Sequence, residues 1–206
     1  MSNVLGMKDV KGVLVDLLEK LVGDDFETWL KEIKKFLRKE PCWVATSPFP
    51  IWKTIRLGTG LKTADDFRAA IEDAGMSIDD LGNDILGKPA FTVSSEEVEI
   101  NLVVVSNIDL GFKEGAKLED TYARALNLGL ELCPNEVGPQ LRLQYADQPN
   151  GEWLLIAMDP IIDQRGNRKI FGVENCGDGE RDLRGDYAYP DHVWDEGTRF
   201  VFRRRK

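Results

Sequence analysis

His192 is the only histidine in the chain, and it sits in Tyr187-Ala188-Tyr189-Pro190-Asp191-His192-Val193-Trp194-Asp195. An imidazole can act as the base that turns a thiol into a thiolate nucleophile. Cys133 supplies a thiol and Glu136, three residues on, an acid. Brought together by the fold, Cys133, Glu136 and His192 would make a small hydrolase or transferase, and they are the candidate catalytic residues. Their spacing does not require a meeting, and a free cysteine also serves as a small core residue. The same segment supports a different chemistry. Its rings stand among acids and a proline, and amphipathic rings are enriched at recognition surfaces. Tyr187, Tyr189, Asp191, His192 and Trp194 are therefore the candidate binding residues. The plain alternative is a loop whose rings close the edge of the core.

Other constellations carry less. Gly58-Thr59-Gly60-Leu61-Lys62-Thr63 resembles the end of a phosphate-binding loop, in which backbone N–H groups and a lysine cradle phosphates. The upstream glycine is missing and Leu61 separates glycine from lysine, so a glycine turn feeding a capped helix accounts for the segment. His192 with Asp186, Asp191 or Asp195 lacks the histidine and cysteine partners that zinc takes. The acids at Asp178, Glu180 and Asp182 do not make a twelve-residue calcium loop. Glu136 with Glu152, or Asp159 with Asp163, could serve acid–base hydrolysis of glycosides, but 36 acids will produce such pairs by chance. No metal and no cofactor are expected.

Helical and extended segments must position these groups. Val10, Val13, Leu14, Leu17, Leu18 and Leu21 repeat with helical period over residues 9–22. Gly23 ends that helix, and Asp24 or Asp25 can cap the next. Phe26, Trp29, Leu30, Ile33, Phe36 and Leu37 form a second stripe, with Lys31, Lys34, Lys35, Arg38 and Lys39 opposite, and Pro41 stops it. Residues 1–40 are thus expected to be an αα-hairpin, and the proline-rich residues 41–50 a linker with Trp43 or Phe49 as an anchor. A body follows over residues 51–206. It should contain an extended segment at 51–57, a helix capped by Thr63 and Asp66, and a short helix starting at Ser77. A strand should follow over 97–105, then a helix around Leu118, Tyr122, Ala125 and Leu126. From about residue 139 the pattern turns to strands: Leu141, Leu143 and Tyr145 share one face, 152–161 and 168–174 form a hairpin, and 198–204 is a closing strand. Helices before a run of strands predict an α+β fold with an antiparallel, strand-rich C-terminal half.

Charge bounds the partners. The first forty residues hold eight acids and eight bases, so the net charge of −9 belongs to the remainder. That argues against a duplex nucleic-acid binder, which needs a basic surface. The tail Arg203-Arg204-Arg205-Lys206 is read as a solvated strand end. No apolar run approaches the roughly 20 residues that span a bilayer, and the acids within the first apolar run are unlike a secretory signal. Three unpaired cysteines, Cys42, Cys133 and Cys176, suit a reducing, cytoplasmic setting.

The phrases WKTIRLGTGLKTADDFRAAI (52–71), NDILGKPAF (83–91), LELCPNEVGPQLRLQY (130–145) and GEWLLIAMDPI (151–161) resemble a recurrent family of uncharacterised bacterial proteins over about residues 52–205. The resemblance implies a bacterial origin and one integral body, with the helical start as an addition. It carries no activity.

The leading expectation is a noncatalytic intracellular binding or interaction protein, with the helical hairpin as a means of self-association or of docking a protein partner. The Cys133–Glu136–His192 enzyme is the alternative. A third class is an acidic regulator of a mobile-element or defence system that binds a basic protein partner.

Overall fold

The computed structural model describes residues 15–19, 22, 26–38, 47–177 and 179–204. The chain divides into two units, Met1–Ala45 and Thr46–Lys206. In the first, residues 15–19 and Val22 are helical (α1). Helix α2 (Phe26–Leu37) carries the expected apolar stripe, yet none of its residues is buried. Residues 9–14, Gly23, Asp24, Asp25, Pro41, Cys42 and Trp43 lie outside the described residues, as do Asp178, Arg205 and Lys206. No described helix is long and apolar enough to cross a membrane.

The second unit is built on a nine-stranded mixed sheet. Its main path runs β1 (Lys53–Leu57), β3 (Val98–Ser106), β11 (Arg199–Arg204), β6 (Trp153–Ile156), β8 (Arg168–Asn175), β9 (Arg181–Tyr187) and β2 (Ser77–Ile78). Short strands β5 (Leu130–Glu131) and β7 (Ile161–Ile162) add to β11 and β8, while β4 (Ala116–Lys117) pairs with β10 (Val193–Trp194). The pairs β11–β6 and β2–β9 are parallel, and the other pairs in the main sheet are antiparallel. The expected α+β character and strand-rich body are present. The 198–204 strand, however, lies inside the sheet between β3 and β6, because Phe200, Val201 and Phe202 are apolar on both faces and fully buried.

Helices cover both faces. Helix α3 (Ala64–Asp73) starts on the expected capping box: the Asp66 amide donates to Thr63 Oγ1 and the Thr63 amide to Asp66 Oδ2, and its Phe67 and Ile71 enter the core. Helix α4 (Asp80–Leu86) begins later than expected. Ser77 and Ile78 pair with Asp182 and Leu183 as strand β2, and Asp79 is the cap. Its Oδ1 accepts from the Gly82 amide at the helix start and from the Gly185 amide of β9, so one carboxylate satisfies a helix end and a sheet strand. Helix α5 (Leu118–Asn127) places Tyr122 against Phe200 and Phe202 on the other face.

Residues 137–144 correct the sequence reading. They form helix α6 (Val137–Gln144), not a strand. Pro139 falls in the first turn, where a helix has no use for its N–H. Gly138 lets α6 approach the sheet: a Cβ there would lie 2.6 Å from Phe171. Glu136, Gln140 and Gln144 then recur every four residues along the side of α6 that meets β1. The Gly58 and Ser94 amides donate to Glu136, the Gln140 amide group donates to Glu136 and to Thr59 Oγ1, and Gln144 both accepts from the Arg56 amide and donates to the Arg56 carbonyl. An edge strand offers unpaired backbone groups; Gln144 occupies those of Arg56 in β1, while Glu136 and Gln140 hold the Gly58–Thr59 turn that follows it.

Candidate functional site

The candidate binding segment divides between the two faces of the sheet. Tyr187 is the last residue of β9 and pairs with Lys169 of β8. The Lys169 ammonium lies 2.9 Å from the centre of the Tyr187 ring. Tyr189 stacks on Tyr187 at 4.8 Å and 13°, a gap too narrow to hold an ammonium as well, so Lys169 and Tyr189 flank Tyr187 from opposite sides. The outer ring, Tyr189, is 44 % exposed. Two residues further on the chain turns away. His192 meets Trp194 edge to face at 4.6 Å, and Trp194 is buried against Trp153 and Phe200. Asp191 forms an exposed ion pair with Lys117 at 3.2 Å. Tyr187 and Tyr189 are thus set on the α4 side, whereas Trp194 closes the core edge, the plainer of the two roles expected for this segment.

Beside Tyr187 lies a cleft of about 350 Å³, lined by Asp80, Leu81 and Asp84 of α4 and by Asp163, Gln164 and Arg165 of the β7–β8 turn. The turn is held by Asp163. Its Oδ1 accepts from the Arg165 and Asn167 amides and its Oδ2 from the Asn167 side chain. Burial pushes the Asp163 carboxyl up, but those hydrogen bonds and the nearby Lys169 outweigh it and hold the group below the ordinary carboxylate value. Asp84 is committed too, pairing with Lys88 at 2.8 Å and accepting from the Gln164 amide.

Lys169 is fully buried, its Nζ has no hydrogen-bond acceptor among the described residues, and the Asp163 carboxylate is 3.9 Å away. That distance retains Coulomb attraction but not a hydrogen bond. Buried donors in folded proteins are nearly always hydrogen-bonded, and an ammonium held only by a distant charge and a ring face is an exception. Sequence reasoning missed Lys169. The signal was its parity: Lys169, Phe171 and Val173 alternate along β8, so a lysine falls on the face that holds the core.

Cys133, Glu136 and His192 occupy separate settings. Cys133 is buried with its thiol 3.5 Å from the Val201 carbonyl, and burial raises its pKa, which disfavours the thiolate. Glu136 is fully buried and bonded to the Gly58 and Ser94 amides and to Gln140. His192 is exposed. Among the described residues no hydrogen bond, ion pair or ring contact joins any two of the three. The phosphate-loop resemblance has a physical answer as well: the Gly58 N–H, which such a loop would offer to an anion, is given to the Glu136 carboxylate. Glu152 accepts from Tyr145 and pairs with Arg199. Among the described residues no group of three acids, histidines or cysteines is placed to hold a metal ion.

One further group stands out on the opposite face. Asp186 is raised to about 6, first by burial, with Arg184 and the Trp153 indole pulling the other way. Its Oδ2 lies over Gly172, where an added Cβ would come within 2.6 Å of it. No family model, curated protein or solved structure matches this chain, so the reading of its site rests on the geometry of these residues.

Proposed function

We propose that this chain is a noncatalytic binding protein, and that the cleft between α4, the β7–β8 turn and Tyr187 takes a charged ligand. The observation that carries the reading is Lys169, an ammonium with no hydrogen-bond acceptor among the described residues, standing directly behind two side chains that line the cleft, Asp163 and Tyr187. A buried polar group without a hydrogen bond calls for an explanation, and a ligand whose charge offsets it is one. The noncatalytic half of the reading draws support from the settings of the thiol, the acid and the imidazole. The thiol is disfavoured as a thiolate, the acid is spent on backbone amides, and the imidazole is exposed.

A thermal-shift survey of the full chain against charged small molecules and basic peptides tests this. A ligand should raise the unfolding temperature of the natural chain and fail to do so for Lys169→Met. A stabilising ligand whose effect survives both Lys169→Met and Asp80→Asn would place the site elsewhere. Turnover of any such ligand would remove the noncatalytic reading.

A second reading, a basic protein partner, draws on a different observation: Asp80 and Asp84 border the cleft, Tyr189 exposes its ring, and the chain carries a net −9. Binding of a basic peptide that weakens steeply with salt, as opposite charges in water require, would favour it.

A further inference from the structure

The cleft's three aspartates suggest at first a site for a cation, but two of them are already used. Asp163 spends its oxygens on the turn it organises, and Asp84 is held by Lys88 and the Gln164 amide. Asp80 has no hydrogen bond or ion pair among the described residues and is exposed at the start of α4. On the turn side the Arg165 side chain is likewise uncommitted and exposed, and behind the wall stands Lys169. The uncommitted charges that border the cleft are therefore the Asp80 carboxylate on the α4 side and the Arg165 guanidinium on the turn side, with the Lys169 ammonium buried behind Asp163 and Tyr187.

A simple anion would meet Asp80 and the charges of Asp84 and Asp163. A simple cation would meet Arg165 and Lys169. A molecule with both charges a few atoms apart satisfies the two ends together. We infer, resting on the binding reading above, that the cleft takes a zwitterion of amino-acid size, its carboxylate turned to Arg165 and toward the charge of Lys169 behind the wall, and its ammonium to Asp80. The space of about 350 Å³ accommodates such a molecule, near the lower end of small-ligand sites. Leu81 and the Tyr187 ring supply an apolar wall for its carbon atoms. Lys169 is enclosed behind Asp163 and Tyr187, so it acts on that carboxylate through its charge, which carries further in a buried setting than in water.

Isothermal titration of the full chain tests the inference with L-leucine and L-glutamate as zwitterions, acetate as the anion alone, methylammonium as the cation alone, and oligolysine as a basic peptide. At least one amino acid should bind saturably, and acetate and methylammonium should bind at least about ten-fold more weakly, since each forgoes one charged contact. Lys169→Met should reduce amino-acid affinity about ten-fold or more while retaining a cooperative unfolding transition. Should Lys169→Met not fold, Asp80→Asn and Arg165→Gln, both at exposed positions, should each produce a loss of about that size. Equal binding of acetate or methylammonium overturns the inference, as does amino-acid binding indifferent to all three substitutions. Oligolysine binding that is lost in Asp80→Asn, with no amino-acid binding, overturns the zwitterion and leaves the cleft as a binding site. Silence from all five probes removes both.

Discussion

Replacing Glu136 with glutamine changes one oxygen into an NH2 group and almost nothing in volume, so its effect isolates hydrogen bonding from packing. The carboxylate is fully buried. Its Oε1 accepts from the Gly58 amide at 2.8 Å and from Gln140 at 3.0 Å, and its Oε2 accepts from the Ser94 amide at 2.7 Å. A glutamine can keep one of these sides. Its less costly orientation turns the NH2 toward Ser94, where two donors then face each other. Leaving a buried backbone donor unmatched costs about 1–3 kcal/mol. The remaining bonds also lose their charge assistance, while the cost of burying a charge disappears, and these two changes oppose each other. The net expectation is a loss of about 1–3 kcal/mol, or roughly 2–12 °C in unfolding temperature for a body of this size. Urea denaturation monitored by tryptophan fluorescence measures it, with an unchanged slope confirming that both proteins unfold by the same transition. A variant within about 0.5 kcal/mol of the natural chain would mean that Glu136 does not clamp α6 to the Gly58 turn, and the structural role given to it here would be wrong.

Other substitutions probe independent parts of the same fold. Gly138→Ala should cost about 1–3 kcal/mol, because its Cβ would press on three atoms of Phe171 and push α6 off the sheet; denaturant titration reads it. Thr63→Ala should lower stability by about 1 kcal/mol by removing one half of the capping box of α3, again visible in the denaturation midpoint. Arg142→Lys should be destabilising by about 2 kcal/mol or more, since a lysine cannot serve Gln148 Oε1, the Glu174 carbonyl and the Tyr145 carbonyl together as the buried guanidinium does. Asp186 gives a dependence on pH. Its folded value of about 6 lies above the ordinary 3.8, so the folded chain holds the proton more tightly than the unfolded one. The stability this contributes is fully present below about pH 4 and is lost as the pH rises through about 6. Asp186→Asn should therefore stabilise the protein by roughly 1–3 kcal/mol at pH 7.5 and by little at pH 4; thermal melts across that range would show a gap that closes on acidification.

The fold was legible where periodicity and end signals agree. Thr63 with Asp66, the apolar stripe at Phe67 and Ile71, and the run Val98–Ser106 all carry a local pattern that tertiary contacts reinforce. Residues 137–144 failed for a physical reason. Leu141, Leu143 and Tyr145 alternate as a strand would, and Gly138 and Pro139 argue against a helix by propensity. The competing signal was polar: Glu136, Gln140 and Gln144 at intervals of four. Such residues are usually assigned to a solvated face, and here they line the contact with an edge strand. Burial of apolar area sets where most residues go, but the free backbone groups of Arg56 and the Gly58 amide also need partners, and Gln144 and Glu136 supply them.

The candidate site was legible in one half only. The rings at Tyr187 and Tyr189 could be found because aromatic residues among acids are conspicuous in a sequence. Their partner could not, because Lys169 lies in a strand separated from them by a turn and by the whole of β9, and only the register Lys169 to Tyr187 brings the charge under the ring. The same register explains why the segment does not lie on one face. Tyr187 faces α4, while the chain beyond Tyr189 must cross to pair β10 with β4, which carries Trp194 into the core and leaves His192 against it. Aromatic residues two apart on a strand share a face, and the same spacing through a turn does not. Ligand chemistry at this end of the sheet must therefore be argued from Tyr187, Lys169, Asp80 and Arg165, groups drawn from β9, β8, α4 and the β7–β8 turn and brought together by the pairing of β8 with β9.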